Sequence, residues 1–226
     1  MTLEITFHPG TYADIETCLT MDHTCETDRV WQMTLPHGDL SVFGVTFKQE
    51  FLPRPVELTH QIARHRLYDN PDSGRLWVVA RKYEPVPDLS PEPEPLPLPV
   101  EYGGDYDSDN PELVLPPPPP PRPPGIGYVV ARYDDSQEIV WIDDLAVVPA
   151  LRRKRVATRL VDGVRQWARE QGAHHLLVAL PTKHVPMIQL VTALGLRFCG
   201  YSDHYFPNHD IAVFFGLRLA RRGRVE

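Results

Sequence analysis

The clearest apolar periodicity lies in the last hundred residues. From Arg152 to Gln171, Val156, Leu160, Val161, Val164, Trp167 and Ala168 fall on one face at i, i+4, i+8 spacing. That spacing predicts an amphipathic helix over 152–171, with Gly172 where a stop belongs. The apolar run Glu138–Val148 before it reads as a strand, and Leu176–Leu180 after it as a short buried strand. Strand, helix and strand in that order imply a parallel pair. Val185–Leu194 reads as a second helix stopped by Gly195. Leu196–Phe206 and Ile211–Leu219 read as strands joined by the turn-forming set Pro207-Asn208-His209-Asp210, hence an antiparallel hairpin.

The first half is less regular. Leu3–Phe7 reads as a strand, Asp14–Met21 as a helix, Val45–Phe51 as extended and Val56–Arg64 as helical. Leu76–Tyr83 (LWVVARKY) and Gly127–Tyr133 (GYVVARY) read as strands on either side of a very different segment. Residues 84–124 hold sixteen of the 25 prolines, including the run Pro116 to Pro121, together with nine acidic residues and one base, Arg122. Proline at this density can neither continue a helix nor donate to a sheet. The expectation is a disordered, acidic, proline-rich insert inside a single domain spanning residues 1–226, carried as a long hairpin loop. A docking strip for a proline-recognition module and a surface loop tolerated at small entropic cost both fit it. The class predicted is α+β: a mixed, mostly antiparallel central sheet flanked by helices.

Charge changes this picture little. The net −7 of the chain is supplied by the insert, so the remainder is close to neutral and gives no electrostatic case for nucleic acid. No segment approaches the roughly 18 apolar residues of a membrane span, and the opening MTLEITFHPG lacks the basic-then-apolar order of a signal peptide. Cys18, Cys25 and Cys199, odd in number and irregularly spaced, read as reduced thiols of a cytoplasmic protein rather than a disulfide or zinc pattern. The ten histidines show no metal-binding spacing, so no metal is expected.

Candidate chemistry concentrates in Ile142–Ala168. Arg152, Arg153, Lys154 and Arg155 stand in a row where the helix is predicted to begin. Cations in a first turn oppose the helix dipole. They make sense if an anion binds there, where unpaired N–H groups and side-chain charge converge; a solvated basic turn is the plain alternative. Ala157 is small enough for a phosphate to approach. As part of a first helical turn, Arg155 is expected at negative φ. Asp143 and Asp144 are adjacent on the preceding strand and so point to opposite faces. One could take a proton in a cleft while the other pairs with a cation.

Strand, Val-x-Pro-x-x-Arg, then helix resembles the cofactor motif of the GNAT superfamily of N-acetyltransferases, in which Arg/Gln-x-x-Gly-x-Gly/Ala cradles the pyrophosphate of acetyl-CoA. Here the motif stands as Arg152-Arg153-Lys154-Arg155-Val156-Ala157, with Arg155 in the place of the central glycine. His184–Phe198 resembles the superfamily's second motif, with Leu194-Gly195-Leu196 at its end, His184 where an asparagine often stands, and Val191 where a tyrosine commonly protonates the departing thiolate. WIDDLAV and the closing FFGLRL are most similar to streptothricin acetyltransferases. The resemblance implies the acyl-CoA N-acyltransferase fold, acetyl-CoA as cofactor, and direct acetyl transfer to the primary amine of a small molecule or peptide. It implies cofactor contacts from Leu145, Ala146 and Val147, from Arg152, Arg153, Lys154, Arg155, Val156, Ala157 and Thr158, and from His184. Asp143, Asp144 and Tyr201 are the candidate acid and base groups, with Tyr205 and His184 as further replacements for the missing tyrosine. A second copy of the chain is a candidate partner; nucleic acid and membrane are not. The alternative is a catalytically silent GNAT-like module that binds acyl-CoA or a protein.

Overall fold

The computed structural model describes residues 4–34, 44–59, 67, 74–83 and 123–220. Nine strands are found among them: β1 (Ile5–Pro9), β2 (Thr24–Thr34), β3 (Thr46–Thr59), β4 (Arg75–Lys82), β5 (Gly125–Asp134), β6 (Ile139–Val147), β7 (His175–Pro181), β8 (Arg197–Ser202) and β9 (Ala212–Arg218). Three α-helices accompany them: α1 (Ile15–Thr20), α2 (Val156–Glu170) and α3 (Val185–Ala193). Seven strands form one sheet in the order β1-β4-β5-β6-β7-β9-β8, and β2 and β3 form a separate ribbon. Within the large sheet only β6 and β7 are parallel.

The centre of the sheet is β5. Residues 125–131 are buried on both faces, which explains the near-unbroken apolar run GIGYVVA. On one face α2 buries Val156, Leu160, Val161, Val164 and Ala168, the leucine and valines each worth about 1.5–3 kcal/mol relative to exposure. They join Val129, Val140, Ile142, Leu176 and Val178 in the main core. On the other face Ile15, Cys18 and Met21 meet Val79, Tyr128, Val130 and Ala146 in a smaller cluster. Near it lies a buried ion pair: Arg81 bonds Asp14 and also donates to the Pro123 carbonyl. The described part of the domain therefore takes in Pro123 and Pro124, the last two residues of the expected insert. Residues 84–122 of that insert lie outside the described residues, while the strands flanking them pair antiparallel as a hairpin requires.

Three expectations are corrected. Helix α2 begins at Val156, not Arg152. The run Arg152–Arg155 is a turn, and Arg155 is the N-cap at φ 63°, in the left-handed region. Apolar periodicity could not show this, because four consecutive charged residues carry no periodic signal. Of the helix expected over Val56–Arg64, residues 56–59 are strand, the end of β3; residues 60–64 lie outside the described residues. Pro53 and Pro55 disguised β3, yet they lie where the β2–β3 register breaks between Thr27 and Arg29, which is where a strand tolerates proline. Its partner β2 was not anticipated, because TCETDRVWQMT is polar on most positions.

Candidate functional site

The site begins where two parallel strands part. β6 pairs with β7 only over Ile139–Ile142 against His175–Val178. β6 then runs on to Val147 and β7 to Pro181 without pairing each other. Separation starts at a bulge: Val130 faces Asp144 and Ala131 faces Ile142, so Asp143 is the extra residue. A bulge bends its strand and re-aims the side chains beyond it. The result is a gap edged by the backbone of Leu145, Ala146 and Val147.

The gap leads to a basic turn. After the short 3₁₀ turn Pro149–Leu151, Arg152 folds back: its Nε donates to the Val147 carbonyl at 3.0 Å and its guanidinium also donates to the Asp22 carbonyl at 3.3 Å. Arg152 thus ties the strand end to the loop after α1. Arg153, Lys154 and Arg155 are exposed. Arg153 and Arg155 take φ of 62° and 63° with Lys154 between them at negative φ. Such alternation makes a concave turn whose N–H groups converge on an anion. No side chain caps α2, so the first-turn N–H groups of Val156, Ala157 and Thr158 have no acceptor within the helix. Val156 itself is a core side chain, so only its backbone faces the turn. Donors, dipole and charge all favour phosphate here.

The two aspartates are separated in role. Asp143 accepts a hydrogen bond from Arg132 Nε at 3.0 Å, and that guanidinium stacks on Trp141. Asp144 is buried, 7 % exposed, on the face of the smaller cluster. Its Oδ1 accepts from the Leu145 N–H at 2.7 Å and its Oδ2 from the Tyr128 hydroxyl at 3.1 Å. Tyr128 is fully buried, and its hydroxyl lies 2.8 Å from His23 Nε2. Burial, then the charge and hydrogen bond of Asp144, push the Tyr128 phenol far above its ordinary range. Burial and the nearby carboxylates of Asp14 and Asp144 push the Cys18 thiol up to about 12, so it stays a neutral core group.

His184 is the N-cap of α3. Its Nδ1 accepts from the Met187 N–H at 3.3 Å and sits 4.0 Å from Cys25 Sγ. This capping use matches what an asparagine would do there. The Cys25 thiol is raised by burial, with Arg152 opposing. Val191 is fully buried in the core, so no polar group stands in its place. Tyr201 stands on β8 with its ring edge-on to Phe47 of the ribbon, and β7 and β9 lie between it and the β6 that carries Asp144. Tyr205 packs on Phe206 and Phe214. The structure therefore gathers Leu145–Val147, the basic turn and the start of α2 around one gap, and leaves Tyr201 outside it. Tyr128 and His23 were missed from sequence. Tyr128 is hidden inside an apolar strand, and His23 carries no spacing signal.

Comparison with known proteins bears on the same stretch. Residues 126–196 match the model of the Acetyltransferase (GNAT) family. A streptothricin acetyltransferase of Streptomyces lavendulae is 30% identical over 74 residues, 33% of this chain and 39% of that protein; the match therefore spans well under half of that relative's length. Among solved structures, nourseothricin acetyltransferase superposes with a TM-score of 0.67 at 18% identity, covering 96% of this chain and 99% of that one. A protein of Bacillus anthracis described as a streptothricin acetyltransferase, solved in complex with acetyl coenzyme A, gives 0.64 at 12% identity, covering 96% and 100%. The chain has the GNAT fold, and its resemblance to streptothricin acetyltransferases is found both in sequence and in structure.

Proposed function

We propose that this chain of GNAT fold is an N-acetyltransferase that moves the acetyl group of acetyl-CoA directly to a primary amine. The observation that carries the reading is the gap between β6 and β7 running into an uncapped helix start flanked by Arg153, Lys154 and Arg155. Those residues fit the cofactor: an extended arm can lie along the free edge of β6, and a pyrophosphate can sit on the first-turn N–H groups of α2. Bound acetyl-CoA supplies the activated thioester. Leu145 N–H is already taken by Asp144, so holding the thioester carbonyl falls to the strand backbone beyond it. Oriented donors at a developing oxyanion are the largest single aid to acyl transfer. Asp144 is the acceptor-side base; Asp143, tied to Arg132, keeps the bulge in shape. The amines of streptothricin-type antibiotics are the first acceptors to try, because the relatives carry those names. The reading takes the protein as a cytoplasmic single domain, and its three cysteines are free thiols. Among the described residues no helix is long and apolar enough to cross a membrane.

A second reading is kept by two observations: Val191 is buried where an acid would stand, and Arg155 occupies a left-handed position. Under it the domain binds acyl-CoA without turnover. Thermal shift with acetyl-CoA and with pantetheine lacking phosphate, followed by thiol release over an amine panel, separates the two. The enzyme reading expects stabilisation by acetyl-CoA far above that by pantetheine, with thiol release. Binding without release on any amine supports the silent module, and equal stabilisation by both ligands removes the basic turn as the phosphate site.

A further inference from the structure

We propose that Asp144, Tyr128 and His23 form a proton relay that carries the proton shed by the acceptor amine from a buried carboxylate to the surface. The inference rests on the acetyl-transfer reading above and assigns two residues to it that no motif contains.

Three facts join. Asp144 is 7 % exposed on the smaller-cluster face, with little water to take its proton, yet a base must release that proton after every turnover. Its Oδ2 is bonded to a phenol that has no exposure at all. That phenol is bonded in turn to the ring of His23, half-buried on the segment after α1, which meets the phenol edge-on. The links of 3.1 and 2.8 Å are both within hydrogen-bond range. A buried tyrosine needs one partner for its hydroxyl; this one spans two titratable groups that belong to different elements. Imidazole is the side chain whose proton exchange suits neutral pH.

The proton balance closes without ionising the phenol. The acceptor ammonium gives one proton to Asp144, and the freed amine attacks the thioester carbonyl; the C–N bond forms, the C–S bond breaks, and the second nitrogen proton goes to the departing CoA sulfur, which ends as the thiol. With His23 neutral and its hydrogen on Nδ1, the Tyr128 hydroxyl turns from Asp144 to His23, so that protonated Asp144 donates to the Tyr128 oxygen while the Tyr128 hydroxyl passes its own hydrogen to the free Nε2. Asp144 is again a carboxylate, Tyr128 is again a phenol, and His23 holds the proton and gives it to water. A tyrosinate intermediate is not needed, which agrees with the burial that disfavours it. Tyr128 and His23 do not touch the amine; they act through Asp144 as positioning residues for its proton.

Among the described residues, the charged and titratable groups near the relay include Asp22 and Arg152 on the His23 side, and Cys18 and Asp144 around Tyr128. The relay needs unprotonated His23, so the rate should fall as pH drops through the ionisation of that ring.

The test uses the full chain with acetyl-CoA and the best amine of the panel, reading kcat, KM and the pH profile of kcat. Tyr128→Phe keeps the ring and removes the hydroxyl; His23→Ala removes the exit. Each should lower kcat by about 100-fold, the scale of general acid–base catalysis, with the KM for acetyl-CoA and its thermal shift held within about twofold. The acidic limb of the pH profile should disappear in His23→Ala, and added imidazole should restore part of kcat to that variant and none to Tyr128→Phe. Unchanged kcat and pH profile in both variants, beside an active unaltered chain, would overturn the relay and leave the acetyl-transfer reading standing. A loss in His23→Ala that imidazole cannot restore, or a loss in either variant that comes with loss of the acetyl-CoA thermal shift, assigns the cluster to support of the fold and also overturns it. Absence of transfer by the unaltered chain on every amine overturns the function and the relay with it.

Discussion

Arg155 offers a direct measure of how the basic turn before α2 is built. Its φ of 63° and ψ of 14° place a long side chain with a β-carbon in the left-handed region, at the place where the motif it resembles has glycine. Left-handed backbone costs an L-residue about 1–2 kcal/mol. Glycine avoids that cost but loses about 0.5–1 kcal/mol more chain entropy on folding. Arg155→Gly should therefore be stabilising by about 0.5–1 kcal/mol. For a chain of this size that is a rise in Tm of about 1–4 °C. Arg155→Ala separates backbone from charge, because alanine keeps the strain and removes the guanidinium. The glycine variant should melt above the alanine variant by that margin. The two should bind acetyl-CoA alike, each less than about tenfold weaker than the unaltered chain, or about 1.4 kcal/mol, and with a shallower salt dependence. Calorimetric melting and titration at two salt concentrations read both quantities. An alanine variant as stable as the glycine variant would mean the turn carries no strain at Arg155. Affinity rising well above tenfold in the glycine variant alone would mean that the side chain closes the site, and would favour the silent module.

Gly127 packs under the cofactor strand: a β-carbon there would stand 2.9 Å from the Ala146 carbonyl oxygen and 3.2 Å from Val147 Cγ2. Gly127→Ala should lower stability by about 1–3 kcal/mol and weaken the acetyl-CoA thermal shift; melting curves with and without ligand check it. Asp14 is held below the ordinary carboxylate range: burial alone would raise it, but the hydrogen bonds from Arg81 and Thr11 outweigh that. Its stabilising contribution is then complete above the unfolded carboxylate pKa of about 3.9 and is lost as pH falls through the lower folded value. Asp14→Asn should flatten that acid limb in urea melts while costing about 3–5 kcal/mol at neutral pH, since Arg81 is left buried and unpaired. Deleting residues 86–122 and joining β4 to β5 by a short turn should leave Tm and acetyl-CoA binding unchanged, because the segment has too few large apolar groups to anchor a core; a fall in either would show that it packs on the domain.

The C-terminal half of the fold was legible because its signals are local. The α2 stripe was assigned residue for residue, the parallel β6–β7 pair followed from strand–helix–strand order, and Gly172 and Gly195 end their helices at φ of 79° and 85°. The ribbon was not legible. β2 and β3 bury little, so their polarity carries no alternation, and the ribbon is tied to the rest of the fold by distant contacts such as Trp31 N–H to the Thr182 carbonyl. The candidate site was half legible. Charge placed the basic turn, but no charge pattern can report the sign of φ at Arg153 and Arg155. Adjacency suggested two roles for Asp143 and Asp144, and it took the bulge to decide which carboxylate pairs with Arg132. Tyr128 and His23 lie 105 positions apart, a separation that leaves no trace in any local window.

The missing acid and the retained base are of unequal weight in the chemistry. A thiol leaving group with an ordinary pKa of about 8.5 lies only some 1.5 units above neutral pH, so leaving unprotonated costs about 2 kcal/mol at most. An amine of pKa about 10.4 is almost wholly protonated at pH 7, and freeing its lone pair costs about 4.6 kcal/mol. A site that must economise can therefore dispense with a proton donor to sulfur before it can dispense with a route for the ammonium proton. Val191 fills the donor's place with core packing, while Asp144, the base of the acetyl-transfer reading we propose, is hydrogen-bonded through Tyr128 to His23. That division predicts a rate that climbs with pH until the relay is fully unprotonated, with no falling limb from loss of a tyrosine acid. A bell-shaped profile of kcat, with a basic limb near the ordinary range of tyrosine, would instead require a phenol at the sulfur and would bring Tyr201 or Tyr205 back into the site.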